Sequence, residues 1–252
     1  MNTHQNPRLV QTGEALLRSA FAPVSTWAFD LDDTLYPYGF GLHRQMKDRV
    51  VAFISRLLRI GHGEAEKVHL NYYDHYGATL QGLVELHNVS PREFLDFVHD
   101  IDLSRLGPDV KLRAALAALP GRRIVFTNGS CSHAEAVLAA LQIKDLFESV
   151  CHIENCGFVG KPQPSAYETF LSLCAVHTST TAMFDDRIKN LVIPSQLGMR
   201  TVLVVPPGAE TPVDAPGSFA SDFITNDLAS FLMNVAGALN GVTSSLERAG
   251  MG

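Results

Sequence analysis

Five aspartates fall where a buried strand should end. In FDLDDTL, Asp30, Asp32 and Asp33 follow the apolar run TWAF, and in MFDD, Asp185 and Asp186 follow TTAMF. In an open α/β sheet, the carboxyl ends of the strands border the ligand crevice, so the two acidic groups, distant in sequence, are expected to meet there. At roughly 4 Å and an effective dielectric near 20, each like-charged pair costs on the order of 4 kcal/mol before screening. Such a cluster therefore needs a cation. All-oxygen ligands favour a hard one, and Mg²⁺ suits a site that also holds waters and a phosphate oxygen. IVFTNGS adds donors at a helix start: the Thr127 hydroxyl, the Asn128 side chain and the Gly129 and Ser130 amides, a set suited to an oxyanion. Lys161 in VGKPQP is one of six lysines, on a loop stiffened by Pro162 and Pro164.

These groups need a frame that brings separate strand ends together. Runs at 26–30, 122–128, 149–153, 180–186, 200–206 and 222–225 are short, apolar and β-rich. They alternate with amphipathic stretches at 109–119, 131–142, 164–175, 187–197 and 226–240, which predicts a parallel sheet covered by helices. Continuous rather than alternating hydrophobicity suits strands buried on both faces. Ser130 is a candidate N-cap, and Pro120 and Gly121 close the preceding helix. From 37 to 108 no strand is evident. HRQMKDRVVAFISRLLRI sets Met46, Val50, Phe53, Ile54, Leu57 and Leu58 on one helical face, so the interval reads as a helical insertion punctuated by Pro37, Gly39, Gly107 and Pro108. The tail beyond about residue 241 reads as loose.

Composition limits the partners. The 252 residues carry 20 basic and 26 acidic groups, a formal charge of −6, with no basic cluster to track a nucleic acid polymer. No apolar run approaches the roughly 20 residues of a membrane span, and MNTHQNPRLV lacks a signal layout, so a cytoplasmic protein, monomeric or a small homo-oligomer, is expected. Cys131, Cys151, Cys156 and Cys174 form no CxxC pair and read as buried reduced thiols; Cys151, His152 and Cys156 lack the second ligand pair of a zinc site. His62, His69, His75, His87, His99 and the remaining histidines show no metal-binding spacing and read as surface groups.

The ordered motifs DxDxT, TN, GKP and DDxxxN resemble the haloacid dehalogenase superfamily of aspartate-nucleophile hydrolases over residues 26 to 206. DLDDTLYP, the lysine-proline element and LGMRTVLVV are most similar to its pyrimidine 5'-nucleotidase subgroup. The resemblance implies a Rossmann-like α/β core, residues 1–36 and 109–252, interrupted by a helical cap, 37–108. It implies an Asp30 nucleophile, Asp32 as proton donor and then base with a raised pKa, and Mg²⁺ held by Asp30, the Asp32 carbonyl and Asp186, with Asp185 acting through water. Thr127, Asn128, Gly129 and Lys161 would hold the phosphoryl oxygens; Asn190 would orient the acidic pair and Thr34 support Asp32. The implied activity is hydrolysis of a small phosphate monoester, foremost a pyrimidine nucleoside monophosphate, through an aspartyl-phosphate. A phosphosugar mutase or sugar-phosphate phosphatase would share these core motifs.

Each motif alone has a plainer reading: a DxD is often a capping turn, TN a helix cap, and a single lysine a solvated one. Asp33 suits a turn or hinge. A carbon–halogen hydrolase would not require Asp32. A receiver-like phospho-acceptor module uses similar residues but places its acidic pair before the phosphorylated aspartate and has no room for the insertion. Five of the six tyrosines lie between 36 and 76. Tyr36 and Tyr38, beside the entry to the insertion, are the ones expected to face substrate, and Tyr72, Tyr73 and Tyr76 are expected to pack between helices.

Overall fold

A computed structural model of the chain describes residues 13–76, 78–209 and 221–241. Six parallel strands form one sheet: β1 (Thr26–Phe29), β2 (Arg122–Phe126), β3 (Ser149–Cys151), β4 (Thr181–Asp185), β5 (Arg200–Val204) and β6 (Phe223–Thr225), in the order β3-β2-β1-β4-β5-β6. The α/β, Rossmann-like architecture expected from alternation is present. Every residue of β1 and β4 is buried, which accounts for their unbroken hydrophobicity. The register pairs Phe29 with Val125 on one side and Phe184 on the other, so the chain leaves β1 and β4 at the same level. That register carries the acidic groups at 30–33 and 185–186 to one edge of the sheet.

Successive side chains supply two separate cores, as the twofold period of a strand requires. On one face Trp27, Phe29, Val125 and Phe184 meet α1 (Glu14–Phe21), α6 (Val110–Ala118), α7 (Cys131–Ala140) and α10 (Leu228–Asn240). Trp27 is fully buried, stacks on Phe21 at 5.8 Å between centroids and donates from its indole N–H to the Pro120 carbonyl at 2.6 Å. On the other face Ala28, Phe126 and Met183 pack with Tyr167 and Phe170 of α8 (Pro164–Leu173) and Leu191 of α9 (Ile188–Gln196). Gly121 turns the chain into β2 with φ +81°, and a Cβ there would lie 2.2 Å from the Ser25 carbonyl oxygen, so only glycine fits.

The insertion contributes α2 (Leu42–Leu58), α3 (His62–Tyr76), α4 (Thr79–His87) and α5 (Pro91–Val98), which bury a third cluster around Val50, Phe53, Ile54, Tyr72, Leu83 and Phe94, joined by Ile153 from beyond β3. The expected apolar stripe of α2 packs inward at Met46, Val50, Phe53, Ile54 and Leu58; Val51 joins it, whereas Leu57 is 40% exposed. Helix α1 was not foreseen from the sequence. It is eight residues long, too short for periodicity to mark, yet Leu17 and Phe21 complete the first core. The expected loose tail after 241 lies outside the described residues. No helix among the described residues is long and apolar enough to cross a membrane.

Candidate active site

Strand β1 delivers Asp30, whose N–H is held by the Phe184 carbonyl at 2.8 Å. The neighbouring β4 ends in Asp185, followed by Asp186. Carboxylate oxygens of Asp30, Asp185 and Asp186 all lie within 4.8 Å of one another, the meeting anticipated from sequence. Between them sits Lys161, its side chain fully buried, donating to Asp30 Oδ1 at 2.9 Å, Asp185 Oδ2 at 2.7 Å and the Phe126 carbonyl at 2.7 Å. Asp185 also accepts from Asn190 Nδ2 at 2.9 Å and from the Arg187 backbone N–H at 2.9 Å. Asp185 is thus saturated by protein donors, whereas the nearest cation to Asp186 is the Arg187 guanidinium at 3.9 Å.

One ammonium cannot neutralise three carboxylates. Burial, moderated by Lys161 and reinforced by Asp185, pushes the Asp30 carboxyl up to about 7; burial together with Asp30 and Asp185 pushes Asp186 up to about 8. Lys161 is held above its ordinary value, because Asp185 and Asp30 outweigh the burial that would discharge it. The excess of negative oxygen is what a hard divalent cation would relieve, and the buried Asn190 Oδ1, with no hydrogen-bond partner, adds an unsatisfied acceptor beside it.

Asp32 departs from expectation. Burial favours its neutral form, but the charge and hydrogen bond of His133 and the hydroxyl of Tyr36 outweigh it and hold the carboxyl below its ordinary value, not above. His133 Nε2 lies 2.7 Å and the Tyr36 hydroxyl 2.5 Å from the same oxygen, Asp32 Oδ1. The histidines are not all surface groups. His133 is buried, and the half-buried His99 stacks on it at 4.3 Å and 13°. Asp32 raises the His133 pKa against the opposing effect of burial, whereas burial and the His133 charge push His99 down to about 3. The sequence did hold one signal: a histidine three residues past the N-cap is an odd choice for a helix start, where the macrodipole disfavours a cation.

The residues expected to hold phosphate sort differently. Thr127 Oγ1 accepts from the Gly129 N–H at 2.9 Å, and both residues line the cavity. Ser130 caps α7 as expected, accepting from the His133 N–H. Asn128 lines the cavity too and has a further task. It brackets the Lys161 peptide, donating to its carbonyl at 2.8 Å and accepting from its N–H at 2.7 Å, and so fixes the lysine loop. The buried Thr34 hydroxyl has no hydrogen-bond partner, so support for Asp32 comes from His133 and Tyr36 instead. Asp33 sits in a left-handed turn at φ 58°, as a turn residue should, and its carboxyl lies 3.5 Å from His43.

A cavity of about 220 Å³ joins these groups, lined by Asp30, Asp32, Thr127, Gly129, Lys161 and Asp186 from the sheet side and by Met46, Tyr73 and His99 from the insertion. Tyr73, expected only to pack, faces it: Arg187 donates to its hydroxyl and the Lys189 ammonium lies 3.9 Å over its ring. Tyr38, expected to face substrate, is half-exposed and outside the lining, and Tyr36 is buried against Asp32. Tyr72 packs inside the helical cluster as expected. The four cysteines are free thiols, with Cys151 and Cys174 buried and Cys131 and Cys156 half-buried. His152 pairs with Glu154 at 2.7 Å rather than with a cysteine.

Comparison with known proteins shows the family and the fold. Phosphate metabolism protein 8 of Saccharomyces cerevisiae is 30% identical over 193 residues, a match covering 69% of this chain; the chain spans 60% of that relative's length. The fold is similar to that of a HAD phosphatase from Thermococcus onnurineus (TM-score 0.56, 16% identity, 87% of this chain and 98% of that one). It is similar as well to L-2-haloacid dehalogenase from Xanthobacter autotrophicus (TM-score 0.54, 16% identity, 85% and 99%). Residues 24–193, which include every candidate site residue described above, match the haloacid dehalogenase-like hydrolase family, and the chain belongs to it.

Proposed function

We propose that this hydrolase is a Mg²⁺-dependent phosphomonoesterase working through an aspartyl-phosphate on Asp30, with nucleoside monophosphates, pyrimidine ones foremost, as its substrate class. The observation that carries the reading is the presence of Asp32 on the wall of the cavity that also holds Asp30 and Lys161. Departure of an alkoxide needs a proton donor; departure of a halide does not.

Asp30 Oδ1 is engaged by Lys161, which leaves Oδ2 to attack phosphorus in line with the departing oxygen. The P–O bond to the alcohol breaks as the Asp30–phosphorus bond forms, and Asp32 gives the alcohol its proton. Asp32 is ionised in the free protein, so the acid half of its role depends on the incoming phosphate dianion, whose like charge favours a protonated neighbour. Asp32 then takes a proton from water, which attacks the phosphoryl group and frees Asp30 and inorganic phosphate. Lys161, Thr127, Asn128 and Gly129 line the wall on which the phosphoryl oxygens would rest. Asp30, Asp186 and the Asp32 carbonyl would hold Mg²⁺, with Asp185 steadying them from behind. When bound, the ion supplies charge stabilisation for the transferring phosphoryl group. We propose residues 37–108 as a cap on a core of 1–36 and 109–252, since Met46, Tyr73 and His99 bring the insertion onto the cavity wall.

A panel of nucleoside monophosphates and sugar phosphates, assayed with Mg²⁺ and with EDTA, tests this reading. Metal-dependent phosphate release, abolished in Asp30→Asn, is expected. Full activity in EDTA contradicts the mechanism, and interconversion of sugar phosphates without phosphate release would make the protein a mutase.

A further inference from the structure

Asp32 has two carboxylate oxygens, and the described residues engage only one. His133 Nε2 at 2.7 Å and the Tyr36 hydroxyl at 2.5 Å both converge on Oδ1. Among the described residues no donor engages Oδ2, which lies over Gly129, 3.7 Å from where a Cβ would be, on the cavity wall. The exposures agree with this division: the His133 side chain is 1% exposed, while that of Asp32 is 21% exposed. We infer that His133 is a positioning residue, which with Tyr36 clamps Asp32 by Oδ1 and presents Oδ2 as the oxygen that exchanges protons with the reacting ester. The inference rests on the phosphomonoesterase reading.

The clamp is itself braced. The His133 N–H is bonded to Ser130 Oγ at 3.3 Å, and the same hydroxyl meets His99 Nδ1 at 2.9 Å. His99 in turn lies face to face with the His133 ring, so ring plane and height are fixed from two sides. A carboxyl fixed by one oxygen retains no rotation about its last bond, so the other oxygen keeps a single direction. Proton transfer falls off steeply with misalignment, and this is the property such a clamp protects. A buried histidine serving only as packing would need neither the second donor on Oδ1 nor an open Oδ2.

Leaving-group dependence tests the clamp. The quantity kcat/KM reports steps up to departure of the alcohol, so misplacing the proton donor should penalise poor leaving groups and spare good ones. In His133→Ala, kcat/KM for an alkyl phosphate such as β-glycerophosphate should fall on the order of 100-fold, while p-nitrophenyl phosphate, whose phenolate leaves unaided, should lose only a few-fold. His133→Gln, which keeps an N–H donor, should recover much of the alkyl activity. If His133→Ala fails to fold, Tyr36→Phe removes the other donor to Oδ1 at little change in volume and should show the same split. Equal losses on both esters, or none, would overturn the positioning role. Absence of phosphate release from every ester by the unaltered protein would instead defeat the underlying phosphomonoesterase reading.

Discussion

Lys161 is the residue on which the charge balance of the site turns. It is fully buried among Asp30, Asp185 and a carbonyl oxygen, and removing one partner of a buried ion group strands the others. Lys161→Met should cost about 3 kcal/mol or more in the metal-free protein, read by denaturant unfolding in EDTA, and should abolish phosphate release. An unchanged midpoint would mean that the two aspartates simply take up protons. That lysine was legible in the sequence because it stands in GKP after a strand, in a chain with few lysines. The convergence of His133 and Tyr36 was not: the odd placement of His133 at a helix start and the position of Tyr36 beside the insertion mark each alone, but neither residue type nor spacing says that two side chains 97 residues apart will meet on one carboxylate oxygen. Asp32 was identified, but its environment was misjudged for the same reason: a pKa is set by neighbours brought in by the fold.

The elements that hold these residues were mostly readable. Continuous apolar runs marked the strands, and Ser130 marked the start of α7. That cap accepts from a backbone N–H and meets His99, so Ser130→Ala should lower stability by about 1 kcal/mol, as thermal unfolding would show; no change would mean that Cys131 N–H bonding to Glu154 suffices. The loop before α8 makes a second prediction. A Cβ at Gly160 would stand 2.6 Å from Asn128 Oδ1, inside the bracket that holds the Lys161 peptide. Gly160→Ala should therefore reduce kcat well beyond its effect on melting temperature, and equal activity would show the bracket to be dispensable. Such loops are opaque to pattern reading, since a glycine chosen for close approach looks the same as one chosen for a turn. The short α1 escaped for a related reason: its two buried side chains acquire meaning only from Trp27 and the opposite helix.

For the molecule as a whole, the acidic cluster sets an unusual dependence on pH. Asp30 and Asp186 are raised from an ordinary 3.8 to about 7 and about 8, so in this interval the folded protein binds protons that the unfolded chain has released. Stability of the metal-free protein should therefore decline from about pH 4 to pH 8 through these groups, whereas Asp32, depressed by His133, removes stability only below the ordinary carboxylate range. Melting temperatures in EDTA across that interval should fall, and Mg²⁺ should restore most at the alkaline end; a flat profile, or no Mg²⁺ effect, would exclude a strained carboxylate cluster.

The placement of aromatic residues has an optical consequence. Trp27 is the single tryptophan and lies sealed in the sheet core, while five of the six tyrosines fall between residues 36 and 76. Indole emission therefore reports on the sheet, while three of the six phenols, Tyr72, Tyr73 and Tyr76, sit on α3 and add a signal from the inserted helices, so one unlabelled sample carries two probes. Coincident transitions at the two wavelengths would mean that insertion and sheet melt as one cooperative unit; separated transitions would mean that the helices can loosen while the acidic site stays formed.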